Sequence, residues 1–253
     1  MNCKIIRMIK IVCLAILFLS CKPQYRIADT SWQIVEMNQS YDTPLNPAME
    51  AFVQSYKSQL DTQMKEVIGS SAQYMNYGRP ESLLTNLTSD VMKAYGDEQL
   101  STGADVAIMN VHGHRAALPA GAITIGTLYE IYPFDNTVIF LELKGSDLNA
   151  IFDAYALMGG AGISSNVQLV IAGQKIRSAL VSGKAVDPDK VYHVVTLDYL
   201  AEGNDHMAAF RNAIGTTPTS ITIRDLMIDW VKTEHRKGNK VTSIMDNRIK
   251  ILP

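Results

Sequence analysis

Residues 104–115 read ADVAIMNVHGHR. Ala104–Met109 is a short apolar run, and its length and composition predict a buried strand. The run breaks at Asn110-Val111-His112-Gly113-His114-Arg115, so the strand ends in a turn-rich segment that carries a guanidinium. Downstream, Pro119–Gly121 predicts a turn and Thr127–Ile131 a short helix. Pro133-Phe134-Asp135-Asn136 punctuates the chain before Thr137–Leu143 (TVIFLEL), whose β-branched and aromatic content makes it the clearest strand. Gly145 stops that strand, Asp147–Met158 is helical, and Gly159, Gly160 and Gly162 form a loop. Val167–Ile171 and Lys175–Val181 read as a strand pair, Val186–Asp189 as a turn, and Tyr192–Leu197 (YHVVTL) as another core strand. A last helix spans Thr222–His235, with Ile223, Leu226, Met227 and Trp230 along one side.

Upstream, Glu81–Tyr95 is a helix with Leu84, Leu87, Val91 and Tyr95 on one face, and residues 69–80 are loop-like. Pro47 opens a helix over 47–67, with Met49, Phe52, Val53, Tyr56 and Leu60 at spacings of three and four. Ser31–Glu36 (SWQIVE) alternates like a strand. There is no repeat and no low-complexity linker. The predicted fold is one α+β domain over residues 31–253, a mixed β-sheet flanked by helices.

The chain has 253 residues, of which 47% are hydrophobic and 19% charged, so it can bury a real core. Its formal net charge of −2 lacks the basic surplus of a dedicated nucleic-acid binder. The first 20 residues read as a secretory leader: Lys4, Arg7 and Lys10 form a positive region before the apolar run Ile11–Leu19. That run is about half the roughly 20 residues that a membrane-spanning helix needs. Leu19-Ser20-Cys21 resembles a bacterial lipobox, which would make Cys21 the lipidated first residue, with residues 21–30 a tether. The alternatives are a plain leader cut nearby or a short retained anchor. Loss of the leader leaves 20 of the 23 basic residues against all 25 acidic ones, a net charge of −5. It also removes Cys3 and Cys13, so a fold lipidated at Cys21 has no free thiol and no disulfide, and its stability comes from packing.

Catalytic sets are missing from the sequence. It contains no Gly-x-Ser-x-Gly, no phosphate-binding Gly-x-x-x-x-Gly-Lys-Ser/Thr loop and no His-Glu-x-x-His. His112-x-His114 offers two metal ligands without an obvious third, too few to hold a catalytic metal well. Gly203-Asn204-Asp205-His206 looks like a scrambled metallophosphatase element, but no Asp-x-His precedes it. Binding residues are better represented. Arg115 suits a carboxylate, a phosphate or a ring face, or else an internal ion pair. Phe134 lies in a turn and Tyr199 at a strand end, where core periodicity does not explain an aromatic. Two such rings can clamp a flat base, and Asp205 can accept hydrogen bonds from a ribose diol or a base edge. The competing reading makes the rings buried plugs and Asp205 a helix cap.

Five ordered segments carry a resemblance: Glu81–Asp90 (ESLLTNLTSD), Ala104–Arg115, Pro119–Thr124 (PAGAIT), Tyr132–Asn136 (YPFDN) and Tyr192–Met207. Together they resemble the C-terminal domain of the 5′-nucleotidase family, which includes UDP-sugar hydrolases and 2′,3′-cyclic phosphodiesterases, over roughly residues 30–253. The loop Gly159–Asn166 resembles a further family element. The resemblance implies a domain that grips a nucleoside while a separate N-terminal metallophosphatase domain, with two divalent metals, performs the phosphate chemistry. It places base-stacking rings on Phe134 and Tyr199, a substrate-binding arginine on Arg115, a ribose-contacting acid on Asp205, and base-side positions on Asn136 and Gly159. It implies no catalytic residue and no metal ligand in this chain. The expected role is the nucleotide-recognition part of a split 5′-nucleotidase, lipid-anchored in the cell envelope on the periplasmic or surface side of a bacterial membrane. The alternative is a stand-alone nucleotide or nucleotide-sugar binding lipoprotein. The family's paired glycines read His112-Gly113 here, His114 replaces an apolar residue, and Asn204 replaces a glycine in the Gly-Gly-Asp element.

Overall fold

The computed structural model of the protein describes residues 25–36, 38–41 and 46–253. The predicted leader, Cys21 and the start of the tether lie outside them. The described residues up to 51 and residues 52–253 fall into two units. In the first, residues 25–36 are irregular and exposed, and Trp32 is 82% accessible. The strand predicted at Ser31–Glu36 is therefore not formed: alternation makes a strand only where a neighbouring strand can take its backbone hydrogen bonds.

Helix α1 (Pro47–Met64) begins at Pro47 as predicted but stops three residues short of 67, because Val67 opens strand β1 (Val67–Ser71). None of the α1 side chains is buried. Then follow α2 (Leu83–Gln99), β2 (Val106–Met109), β3 (Gly121–Thr124), α3 (Ile125–Ile131), β4 (Thr137–Lys144) and α4 (Gly145–Met158). Strands β5 (Gly162–Ile163), β6 (Val167–Ala172), β7 (Lys175–Val181), β8 (Lys184–Ala185) and β9 (Val191–Leu197) come next. The chain closes with α5 (Asp198–Ala201), β10 (Gly215–Thr222), α6 (Ile223–Arg236) and β11 (Ile249–Leu252).

The mixed sheet is five-stranded, in the order β10-β4-β9-β2-β5. Strand β4 pairs antiparallel with β9, with Phe140 opposite Val195, and β9 runs parallel to β2, with Val106 opposite Val194. All four β2 residues are buried, which is why Ala104–Met109 reads as an unbroken apolar run. A second sheet, β11-β6-β7-β8, contains the predicted strand pair, and β1 and β3 form a two-stranded ribbon.

Helix α2 starts at Ser82, whose hydroxyl accepts from the Thr85 N–H while the Thr85 hydroxyl accepts from the Ser82 N–H. Its apolar face, including Leu84, Leu87, Val91 and Met92, enters the core. The C-terminus is locked to it by Arg248, which is buried. Its guanidinium donates to Asp90 of α2 at 3.0 Å, to Asp246 at 2.8 Å and to the Ile163 carbonyl at 2.8 Å. Five donors in a fixed planar fork suit this many-partnered role better than an ammonium would.

Candidate functional site

Topology brings three separated segments together. Parallel strands β2 and β9 end at the same edge of the sheet, and antiparallel β4 begins there. The stretches 110–115, 134–136 and 198–205 therefore converge.

After β2, a 3-10 turn spans Val111–Gly113, with Val111 and Gly113 buried and His112 exposed. Gly113 packs closely: a Cβ there would lie 2.6 Å from Asn110 Oδ1 and 2.6 Å from Met109 Cε, so those side chains would have to shift. Arg115 is pinned through its backbone, whose N–H donates to the Ile131 carbonyl at 2.9 Å. The next wall carries Phe134. Arg224 of α6 fixes this segment by donating to the Tyr132 carbonyl at 3.1 Å, to the Phe134 carbonyl at 3.5 Å and to the Asp135 carboxylate. The Arg224 guanidinium also lies 4.2 Å above the Tyr129 ring.

The third wall is Tyr199 in α5 and the loop behind it. Gly203, Asp205 and His206 have positive φ, whereas Asn204 does not. Asn204 instead donates from Nδ2 to the Tyr199 carbonyl at 2.7 Å. Its substitution for glycine is thus accommodated by a side-chain hydrogen bond, and the left-handed turn is carried by Asp205 and His206.

Asn110, His112, Gly113, Arg115, Phe134, Asn136, Tyr199 and Asp205 line one cavity of about 280 Å³. That is just below the range of about 300–1,000 Å³ typical of small-molecule sites. Phe134 and Tyr199 are 42% and 40% accessible, so neither ring is a core plug. The Arg115 guanidinium carbon lies 5.0 Å from the Phe134 ring centre. Both Asp205 oxygens are engaged: Asn110 Nδ2 donates to one at 2.6 Å and the Tyr199 hydroxyl to the other at 3.2 Å. The Asp205 carboxylate raises the Tyr199 pKa above the ordinary phenol value, which keeps the hydroxyl protonated as a donor.

Of the sequence-predicted set, Arg115, Phe134, Asn136, Tyr199 and Asp205 share this cavity, and Gly159 does not line it. Gly159 ends α4 in a left-handed conformation (φ 78°), with its N–H bonded to the Tyr155 carbonyl. Its conformation answers to the helix end. Asn110 and His112 join the set from the structure. Asn110 reads as an ordinary strand terminator, and only its bond to Asp205, 95 residues away, shows a role.

The two histidines of His112-x-His114 part company. His112 faces the cavity, while His114 is fully buried with Nδ1 3.1 Å from the Val111 carbonyl and Nε2 2.8 Å from the Thr88 hydroxyl. The Thr88 oxygen is also 2.7 Å from the Tyr132 hydroxyl, and the Tyr77 ring stacks on His114. Burial lowers the His114 pKa from 6.5 to about 4, so the ring is neutral. Glu81 is buried and accepts from Asn86 and from the Asn247 N–H. Among the described residues, no three His, Cys, Asp or Glu side chains converge to hold a metal ion.

Fold and site together define an α+β domain whose polar-aromatic cavity opens where three strand ends meet. Residues 63–212 match the family described as "5′-nucleotidase, C-terminal domain". The chain belongs to that family. It is 28% identical over 203 residues to "Protein UshA" of Yersinia enterocolitica, covering 78% of this chain and 36% of that protein. It is 29% identical over 187 residues to "Endonuclease YhcR" of Bacillus subtilis, covering 69% of this chain and 14% of that one. Its fold matches the crystal structure of a 5′-nucleotidase precursor from Thermus thermophilus with a TM-score of 0.69 and 25% identity, over 81% of this chain and 43% of that chain. The chain thus spans about a third of the first of these relatives and less of the second.

Proposed function

We propose that this chain is the nucleotide-recognition part of a split 5′-nucleotidase. The base would lie between Phe134 and Tyr199, with Arg115 on an anionic group, Asp205 on the ribose diol and Asn136 on the base edge. The observation that carries this reading is the single cavity shared by two half-exposed rings, a guanidinium and a carboxylate from three separated segments. Base–aromatic stacking contributes about 1–3 kcal/mol per base and tolerates any base. The described residues offer no fit for a metal pair. In this reading, phosphate-ester hydrolysis falls to a separate metallophosphatase chain holding two divalent metals.

Family membership and the leader-like sequence support placement in a bacterial cell envelope, with lipid on Cys21 as the anchor. The test has two arms. Titration calorimetry with AMP should show saturable one-site binding. Incubation with AMP and a divalent metal should release phosphate only when a metallophosphatase from the same envelope is added. Robust turnover by the purified chain alone would overturn the split arrangement. Tight binding with no phosphatase partner recovered would instead make the chain a stand-alone nucleotide-binding lipoprotein.

A further inference from the structure

The charged and hydrogen-bonding groups around the cavity are unevenly committed. Asp205, the only acidic residue lining it among the described residues, has both oxygens occupied by Asn110 and Tyr199. Among the described residues, the Arg115 guanidinium makes no ion pair or hydrogen bond with another side chain, and it rests on the face of Phe134. The His112 side chain likewise makes no hydrogen bond to another described residue, although it faces the cavity. His114 contrasts with it: the same residue type, two positions along, has both ring nitrogens satisfied in the interior.

The local backbone explains why His112 is presented this way. Val111 and Gly113 are buried on either side of it, and a Cβ at Gly113 would press on the Asn110 and Met109 side chains. Asn110 donates its amide to Asp205, and its Oδ1 is buried. His112 is thus the position of this short turn at which a side chain can reach a ligand, and its imidazole offers an N–H donor beside the guanidinium. Two uncommitted donors at one mouth, beside a single carboxylate already held by Asn110 and Tyr199, suit an oxyanion, and bonds to a charged acceptor are about twice as strong as neutral ones.

We infer that His112 sets the charge specificity of the cavity: with Arg115 it contacts a phosphate group, so that a nucleoside monophosphate is selected over the nucleoside. The inference rests on the nucleotide-recognition reading above and deepens it. It assigns a role to a residue that departs from the family pattern, where a glycine would leave the anion to the guanidinium alone.

The experiment compares the full chain with His112→Ala and His112→Gln by titration calorimetry, using adenosine against AMP and uridine against UMP. The unaltered chain should bind each monophosphate at least about tenfold more tightly than its nucleoside, the size expected of one charge-assisted hydrogen bond. His112→Ala should shrink that ratio by about five- to tenfold, and His112→Gln, which keeps an N–H donor, should recover part of it. Thermal unfolding should be unchanged in both variants because His112 is exposed. An unchanged ratio in His112→Ala, or tighter monophosphate binding, overturns the role of His112 and leaves base recognition standing. Binding of none of the four ligands by the unaltered chain overturns both.

Discussion

Phe134 and Tyr199 reach the cavity by different routes, and their loss should be felt differently. Phe134 carries the Arg115 guanidinium on its face, so Phe134→Ala removes a stacking surface and also releases the cation. Tyr199 donates to Asp205, so Tyr199→Phe keeps the ring but frees a carboxylate oxygen. Each alanine substitution is expected to weaken AMP binding by about 1–3 kcal/mol, and Tyr199→Phe by less. Calorimetry on the three variants checks this, and unchanged affinity in both alanine variants would remove the clamp. His114 has a separate, pH-linked consequence. Its folded pKa of about 4 lies below the unfolded value of 6.5, so the unfolded chain binds the extra proton between those limits. Its contribution to stability is complete above pH 6.5 and is lost as pH falls towards 4, by about 3 kcal/mol between pH 7.5 and pH 4. Urea unfolding at several pH values, with His114→Gln as reference, reads that loss; parallel curves for the two proteins would disprove it.

At the scale of elements, legibility followed burial. Strands β2, β4 and β9 are legible because all of β2 and most of β4 and β9 are buried, so their sequences are largely apolar runs. Strand β10 is not: its stretch GTTPTSIT carries Pro218, and the strand lies at the sheet edge with mostly accessible side chains. Strands β1 and β3 form a short ribbon between segments far apart in sequence, and neither VIGSS nor GAIT carries a local signal for that pairing. The converse error is Ser31–Glu36, which alternates without a partner. Among site residues, the rings and Arg115 stood out because core periodicity could not use them, while Asn110 and the inward turn of His114 required tertiary contacts. Arg248 belongs here too, since it ties the start of β11 to α2 through Asp90, with Asp246 two residues upstream as a further carboxylate partner. Replacing it with alanine leaves three carboxylates, Glu81, Asp90 and Asp246, without their cation and the Ile163 carbonyl without its donor. The expected cost is about 3 kcal/mol, in the range for breaking a buried pair from one side. Denaturant unfolding should show the lost stability, and hydrogen exchange should show β11 opening first. A midpoint equal to that of the unaltered chain would contradict this account.

For the whole molecule, ligand binding and folding are coupled because the cavity exists only when three distant segments are in place. A ligand that binds the folded state alone stabilises it by RT ln(1 + [L]/Kd), about 2.7 kcal/mol at a hundredfold excess over Kd. For a unit the size of residues 52–253, each kcal/mol raises the melting temperature by roughly 2–4 °C. Saturating AMP should therefore raise the transition by roughly 5–10 °C, in proportion to the logarithm of its concentration. The same titration on the Phe134→Ala, Tyr199→Ala double variant should show almost no shift at equal AMP concentration, because weaker binding moves the whole series to higher ligand. Those substitutions are at half-exposed positions, so the ligand-free transition should move little. A shift of equal size in the double variant would mean that AMP stabilises the chain from some other surface, and the convergence of the three strand ends would then not be what binds it.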